Sequence, residues 1–216
     1  PAKLGGVPVV SIMGMAQNNF RQRITSISIA SGIKEIGANA FSGYTALTKI
    51  SLPDTLQTIG ANAFFGCSSL AAITLPNSVN ILGEGAFASC TSMLSANLSG
   101  QTKELPAKLF EGCAKLSTVT MPLYLTTIGD SAFSNCSMLK SLSVPDSVTD
   151  IGASAFSGCT SLAAINMPYS LSAIGNFAFQ NCSSLTSVFL CNGTRSIGEE
   201  AFSGCTSLKE IYIAPN

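Results

Sequence analysis

Cysteine is the residue type in this 216-residue sequence whose number and spacing could support chemistry. The chain has eight cysteines and no histidine. Without histidine it can form neither a Ser-His-Asp nor a Cys-His catalytic site, nor a metal site with a histidine ligand. Seven of the cysteines recur at a constant 23-residue interval: Cys67, Cys90, Cys113, Cys136, Cys159, Cys182 and Cys205. Regularly spaced thiols could form disulfides, a metal array or a column of buried thiols.

The uniform spacing favours buried thiols. Zinc sites are built from two pairs of closely spaced ligands, which a 23-residue interval does not provide. Side chains in register on stacked units point in the same direction, which disfavours disulfides between neighbours. Tyr44 occupies the same position in the first unit, as expected of a residue that fills space. We therefore predict free buried thiols, no metal and no cofactor, with a disulfide staple as the alternative.

Cys191 lies outside this series, where the other units have a proline at the end of a predicted strand. It is the candidate for an accessible thiol, and a partly covered, inert thiol is the alternative.

The cysteines belong to a repeat that sets the organisation of the chain. The segment from Ile59 to Phe64, I-G-A-N-A-F, has eight related copies without an insertion between them. Each copy ends in a phenylalanine: Phe41, Phe64, Phe87, Phe110, Phe133, Phe156, Phe179 and Phe202. The residue before the cysteine position is glycine or asparagine in seven of the eight copies. These residues tolerate a left-handed backbone, so we predict that a helical turn ends there.

Within one unit, Leu162–Ser184, the pattern predicts a strand followed by a short helical segment. The alternation of apolar residues up to Met167 is typical of a strand with one buried face, and Pro168 must end it. The next apolar residues are spaced i, i+4, i+5 and i+8, which favours one or two helical turns: Ile174, Ala178, Phe179 and Cys182. Stacked units would share a core and form a nine-stranded parallel sheet about 40 Å long, which starts within Ile24–Ile33.

The repeated I-G-x-x-A-F-x-x-C-x-x-L pattern over residues 24–213 resembles the BspA-type leucine-rich repeat of bacterial and parasite surface and secreted proteins. The resemblance implies an α/β repeat solenoid: a right-handed coil with a parallel β-sheet on its concave face and short helical turns on the other side. It also implies a secreted or cell-surface protein that serves in adhesion or partner binding. It names no particular ligand. An enzyme is the least expected class, because no cluster of acid, base and nucleophile can be named in the sequence.

The chain is predicted to have two parts. Residues 1–23 would be a degenerate N-terminal cap: Met13-Gly14 stand at the Ile-Gly position, but Asn18 and Arg21 replace the phenylalanine and cysteine. Residues 24–216 would form the solenoid. The strand Ile211–Ile213 is followed by no recognisable cap, so we expect the sequence to be a piece of a longer protein.

The outward positions of the strands are the predicted binding surface. Most are small and uncharged, and aromatic residues are the usual centres of recognition. The candidate binding residues are Phe189, Tyr212, Asn166, Lys140 and Lys49. The alternative for the two aromatic residues is that they only cover the end of the sheet. Tyr124 and Tyr169 follow strand prolines and are expected on one rim.

One unit departs from the pattern. Within Met93–Phe110, four consensus residues are replaced, by Ala96, Ser99, Thr102 and Pro106. The unit could be a bend, a docking patch or the result of sequence drift.

The net charge and the hydropathy of the chain argue against several classes of partner. With 11 basic and 11 acidic residues the net charge is zero, which argues against nucleic acid and anionic membranes as partners. No apolar run approaches the roughly 18 residues of a membrane span, so we predict no membrane insertion. The leading hypothesis is a non-catalytic binding or adhesion module for a protein or glycan partner, with a host or matrix molecule as one option. The alternative is a structural spacer or self-assembly scaffold, with homo-association.

Overall fold

The computed structural model describes residues 3–4, 7–8, 11–13 and 21–214. Two short strands, β1 (Lys3–Leu4) and β2 (Val7–Pro8), pair antiparallel. All other strands belong to stacked coils, each formed by one repeat of the sequence, and pair in parallel.

Within the described residues, nine strands form the first face of the coils. We call it the strand face. The nine strands are β4 (Ser26–Ser28), β6 (Lys49–Ser51), β8 (Ala72–Thr74), β10 (Ser95–Asn97), β12 (Thr118–Thr120), β14 (Ser141–Ser143), β16 (Ala164–Asn166), β18 (Ser187–Leu190) and β20 (Glu210–Ile213). Their first residues follow one another at a constant 23-residue interval, as predicted. The predicted single sheet is wrong, because the strands divide into four hydrogen-bonded groups: β4-β6, β8-β10-β12, β14-β16 and β18-β20.

The sequence pattern did not predict the second face, a ladder of two-residue strands: β3 (Ser11–Ile12), β5 (Glu35–Ile36), β7 (Thr58–Ile59), β9 (Ile81–Leu82), β11 (Glu104–Leu105), β13 (Thr127–Ile128), β15 (Asp150–Ile151), β17 (Ala173–Ile174) and β19 (Ser196–Ile197). From β5 onwards they contain the isoleucine or leucine at the first position of the I-G motif. The ladder runs from β3 to β9 and from β11 to β19.

The predicted helical turns are wrong, and with them the α/β fold class. The described residues contain no helix, and therefore none that could cross a membrane. The segment after Gly60 shows the reason. Asn62 and Gly66 have left-handed φ angles of 54° and 68°, which a continuous α-helix does not accept. Phe64 donates its N–H to the carbonyl of Ala86 in the next coil, 2.8 Å away, and not to a carbonyl one helical turn earlier.

The third side of each coil is therefore a pair of tight turns. Ala63 donates to the Gly60 carbonyl at 3.2 Å and Cys67 donates to the Phe64 carbonyl at 3.1 Å, which closes two i→i−3 turns. The residue before the cysteine position has a left-handed φ in all eight coils, as predicted, although it ends a turn and not a helix. The fold is a parallel β-solenoid of stacked coils.

The phenylalanines fill the centre of the solenoid. All eight stack in one column with ring centroids 5.2–5.8 Å apart, and the seven from Phe41 to Phe179 are almost completely buried. Phe202 in the last coil is half-buried. This stacking confirms the register of the predicted repeat.

Coils approach most closely at the glycine of the I-G motif. A Cβ atom on Gly60 would lie 2.5 Å from the backbone nitrogen of Ala38 and 2.7 Å from the carbonyl carbon of Gly37. Real Cβ atoms do not come that close, so the spacing of the ladder requires glycine here.

The predicted N-terminal cap is described only in part. Ile12 pairs with Ile36, so this coil is one residue longer, and Met13 lies at the glycine position and not at the isoleucine position. Gly14 and Asn18 lie outside the described residues. The guanidinium carbon of Arg21 is 5.9 Å from the ring centroid of Tyr44. Arg21 therefore covers the aromatic residue that begins the cysteine column, in a cation–π contact.

The irregular coil divides the second ladder. In regular coils the motif glycine donates to the preceding coil, as Gly83 does to the Ile59 carbonyl at 2.7 Å. Pro106 has no N–H to donate. The strands β9 and β11 consequently belong to separate ladders. A polar cavity of about 530 Å³ opens beside them, next to Asn80, Ile81, Lys103 and Glu104.

Candidate binding groove

A groove of about 740 Å³ lies on the strand face across β14, β16 and β18. We call it the strand-face groove. The residues that line it include Leu123, Ser143, Asp146, Asn166, Tyr169 and Phe189. Three come from the outward position at the end of a strand or near it, and three from the turn that follows a strand.

The proline after each strand positions the second set. Pro145 and Pro168 end their strands, and each accepts a turn hydrogen bond at 3.1 Å, from Val148 and from Leu171. The residue after the proline therefore points to solvent: Leu123 is 77% exposed and Tyr169 is 76% exposed. Because successive coils are in register, these residues form one row along the edge of the groove.

Two of the predicted binding residues meet in this groove. Asn166 and Phe189 occupy equivalent strand positions one coil apart, and both line it. Tyr212 extends the same row, with its ring centroid 6.1 Å from that of Phe189 and the rings tilted by 44°. Phe189 is 57% exposed and Tyr212 is 49% exposed, so both rings present surface to solvent.

The two predicted lysines lie elsewhere. Lys140 directly precedes β14 and is exposed, but it does not line the groove. Lys49 lines a separate, smaller cavity of about 270 Å³ near the N-terminal end, beside Ser26, Ser28 and Ser51. The structure thus does not gather the five candidates into one site.

Sequence reasoning missed Leu123 and Asp146. It placed Tyr124 and Tyr169 on one rim, but Tyr169 lines the groove and Tyr124 does not. The signal that separates them is the position after proline, which Tyr169 occupies and Tyr124, one residue further on, does not.

Charge in the groove comes from one residue. Asp146 is the only charged side chain among the residues that line it. It is exposed, as is the neighbouring carboxamide of Asn166. The groove therefore combines aromatic surface with hydrogen-bonding groups and one negative charge.

The cysteine column is buried beneath the surface, as predicted. Each of its seven thiols donates a hydrogen bond at 3.1–3.3 Å to the carbonyl of the phenylalanine in the preceding coil. Burial raises the pKa of the Cys67 and Cys159 thiols to about 12, so they stay protonated at neutral pH. Protonated, shielded thiols are poor nucleophiles and poor metal ligands. The described residues contain no cluster of acidic and cysteine side chains suited to a metal ion.

Cys191 is half-buried and lines the strand-face groove. It occupies the proline position of its coil, as predicted. Whether it reacts stays a prediction.

Comparison with known proteins fits this architecture. The family model for the BspA type leucine-rich repeat region matches residues 16–140 and 126–216. The chain belongs to the BspA-type leucine-rich repeat family. Comparison with curated proteins finds no match.

Solved structures of other leucine-rich repeat proteins show the same fold. The T. pallidum leucine-rich repeat protein is 32% identical with a TM-score of 0.67, and the match covers 75% of each chain. A leucine-rich cell surface protein of Faecalibacterium prausnitzii is 24% identical with a TM-score of 0.61 over 91% of this chain and 62% of that one. A leucine-rich repeat protein of Eubacterium ventriosum is 26% identical with a TM-score of 0.60 over 86% of this chain and 44% of that one. This chain thus spans less than two thirds of each of the last two proteins.

Proposed function

We propose that this leucine-rich repeat chain is a non-catalytic binding module that holds a protein or glycan partner on its strand face, in a secreted or cell-surface protein. The observation that carries the proposal is a set of exposed aromatic side chains: Tyr169 and Phe189 line the strand-face groove, and Tyr212 packs beside Phe189. Large aromatic side chains in contact with solvent are the residues that most often dominate binding energy when a partner covers them.

The regularity of the rest of the surface supports this location. The other outward strand positions carry mainly serine, threonine, alanine and asparagine, which offer little contact area. A partner would gain most of its binding free energy where these three aromatic side chains interrupt the small polar surface. The location outside the cell rests on the family, whose repeats the sequence resembles.

Catalysis has little support in the groove. Its ionisable residues are Asp146, Tyr169 and the half-buried Cys191, without a histidine or a second carboxylate. General acid–base catalysis needs a pair of groups with matched roles.

The test is binding to an extracellular-matrix preparation and to cultured epithelial cells. The triple variant Tyr169→Ala/Phe189→Ala/Tyr212→Ala is compared with Tyr124→Ala, which removes a tyrosine that is 74% exposed but lies outside the groove. We expect the triple variant to lose at least tenfold in affinity and the control to keep the wild-type affinity. Equal binding by both variants, or no binding by the wild type, would contradict the proposal. Self-association of the wild type without any binding would favour a scaffold.

A further inference from the structure

We infer that the strand-face groove takes an uncharged glycan, a short oligosaccharide that packs on Tyr169 and Phe189 and is hydrogen-bonded by Asp146 and Asn166. The inference rests on the proposed function and narrows its partner from a protein or a glycan to a glycan.

The apolar surface of the groove includes two aromatic rings whose faces suit sugar rings. Tyr169 comes from the turn after β16 and Phe189 from β18, and both rings are exposed within one groove. An aromatic face carries partial negative charge from its π electrons. The C–H groups on one side of a pyranose ring form a flat apolar patch with partial positive charge, which complements such a face. Two aromatic residues along one groove offer places for neighbouring sugar rings.

The hydrogen-bonding groups of the groove suit the hydroxyl groups of a sugar. Asp146 contributes a carboxylate, and Asn166 contributes a carboxamide that both donates and accepts. Sugar hydroxyls need partners of both kinds, and adjacent hydroxyls can donate together to one carboxylate. Hydrogen bonds to a charged acceptor are roughly twice as strong as those between neutral groups. Ser143 adds a hydroxyl beside them.

The charge of the groove favours uncharged over anionic sugars. No lysine or arginine of the described residues lines the groove, and Asp146 is negative. A sialylated, sulfated or uronic-acid sugar would place its negative charge near that carboxylate without a cation to compensate, so the groove favours uncharged sugars.

The size of the groove favours a short glycan over a folded protein. A specific protein partner covers about 800 Å² on each side, with a buried core of anchor residues. The groove has a volume of about 740 Å³. Small-ligand sites usually enclose roughly 300–1,000 Å³, so the groove lies within their range. Apart from Tyr212, the outward strand positions beside the groove carry mainly small polar side chains, which provide few further anchors. A short glycan therefore uses the available surface more completely than a folded protein does.

The direct test is a glycan array followed by isothermal titration calorimetry. The array carries neutral oligosaccharides built from glucose, galactose, mannose and N-acetylglucosamine, with sialylated and sulfated forms of the same backbones. We expect binding to at least one neutral oligosaccharide and at least tenfold weaker binding to its sialylated or sulfated form. A preference for the anionic form, or binding that falls steeply when NaCl rises from about 0.05 to 0.5 M, would overturn the inference.

Variants assign the binding to the groove. For the neutral oligosaccharide selected by the array, Tyr169→Ala and Phe189→Ala should each weaken binding at least tenfold, and Asp146→Asn at least threefold. Tyr124→Ala and Lys140→Ala alter exposed residues outside the groove and should leave affinity unchanged. Glycan binding that none of the groove variants weakens would overturn the site.

A second arm separates this inference from the proposed function. The extracellular-matrix preparation is tested before and after enzymatic removal of its glycans. Loss of binding after deglycosylation supports the inference. Undiminished binding that still depends on Tyr169 and Phe189 would contradict the glycan inference. It would still support a binding module, with a protein as its partner. Absence of binding in both arms would overturn both proposals.

Discussion

At the scale of single residues, the thiols of the cysteine column have a structural role. Each thiol donates a hydrogen bond to a phenylalanine carbonyl in the preceding coil. That carbonyl already accepts a turn N–H, as Phe133 does from Cys136 at 3.1 Å. A carbonyl oxygen has two acceptor sites, so the thiol adds a second hydrogen bond that links neighbouring coils. Cysteine suits this position because it is small, apolar and still a weak donor.

The state of the thiols can be measured by sulfhydryl titration. The chain has eight cysteines, and denatured protein kept without reductant should titrate close to that number of thiols. Because buried thiols are shielded, the folded protein should show at most one fast-reacting thiol, and Cys191→Ser should remove it. Reductant should leave the melting temperature unchanged. Two or fewer thiols after denaturation, with a large loss of stability on reduction, would establish the disulfide staple instead.

Burial of the thiols also predicts a dependence of stability on pH. The pKa of Cys159 rises from 9.0 to about 12 on folding because burial disfavours the thiolate. Above pH 9 the unfolded chain therefore loses this proton while the folded chain keeps it. The contribution to stability is complete below the unfolded pKa and falls by roughly 1.4 kcal/mol per pH unit until the folded pKa is reached.

Urea unfolding at several pH values between about 9 and 11 measures this effect. We expect the free energy of unfolding of the wild type to fall more steeply, by about 1 kcal/mol per pH unit, than that of Cys159→Ala. The comparison of slopes removes the titration of lysines and tyrosines common to both. Parallel slopes would show that Cys159 is not buried as described.

At the scale of elements, the spacing between coils depends on the motif glycines. A Cβ on Gly152 would lie 2.6 Å from the backbone nitrogen of Asp130 and 2.8 Å from the carbonyl carbon of Gly129. Gly100 lies in a turn, and a Cβ placed on it would have its nearest neighbouring atom 3.8 Å away. Neither glycine has a left-handed φ, so the two differ in space and not in backbone conformation.

Alanine substitution at Gly152 and at Gly100 is predicted to change the free energy of unfolding in opposite directions. Gly152→Ala should lower the free energy of unfolding by about 1–3 kcal/mol, because two coils must move apart. Gly100→Ala should raise it by about 0.4–1 kcal/mol, because alanine restricts the unfolded chain. Denaturant unfolding of both variants measures the difference. A Gly152→Ala variant as stable as the wild type would mean that the coils are not held at the described distance.

The irregular coil contains a correctable defect. Thr102 is 1% exposed, and its hydroxyl oxygen has no hydrogen-bond partner among the described residues. The same column holds Val79 in the preceding coil. Thr102→Val replaces the unpaired hydroxyl by a methyl group of similar size, so it should stabilise the protein by about 1 kcal/mol.

Thr194 provides the matched control. It occupies the same column in a later coil, but its hydroxyl donates to the Leu171 carbonyl at 3.2 Å. Thr194→Val should therefore be neutral or destabilise by up to about 1 kcal/mol. Thermal melting of the two variants should show shifts of opposite direction or clearly different size. Equal shifts would mean that Thr102 does find a partner.

The sequence predicted the repeat length, the phenylalanine column and the left-handed residue before the cysteine, because each depends on spacing within one coil. It did not distinguish helical turns from tight turns. The spacing i, i+4, i+5 and i+8 brings side chains to one side in both. A second left-handed position decides between them, and it holds residues such as Phe177 and Glu200, whose types rarely adopt that conformation.

The groove was predictable only where it uses strand positions. Phe189 and Asn166 could be found because alternation along a strand assigns outward residues. Asp146 and Leu123 could not, because the direction of a residue after proline depends on the turn and on how neighbouring coils align. That part of the site is a property of the stacked coils and not of any one repeat.

At the scale of the whole molecule, each coil is stable only because its neighbours cover it. A solenoid of this kind behaves as a row of units with nearest-neighbour interfaces. The phenylalanine column crosses the seven interfaces between the eight repeats: the ring centroid of Phe133 lies 5.6 Å from that of Phe110 and 5.3 Å from that of Phe156. A change at Phe133 therefore acts on two interfaces at once.

Phe133→Ala should destabilise the protein by about 3–5 kcal/mol, because the solenoid cannot collapse around the cavity without moving three coils. The control Phe65→Ala removes a phenylalanine that is 44% exposed, and it should cost less than about 1 kcal/mol. Calorimetry and circular dichroism should both show one cooperative transition for Phe133→Ala, at a temperature about 10 °C lower or more. A change within about 0.5 kcal/mol would mean that the column is not continuous at Phe133. Two separate transitions would mean that the coils on either side fold independently, so that the interfaces at Phe133, and not the individual coils, set the cooperativity of the solenoid.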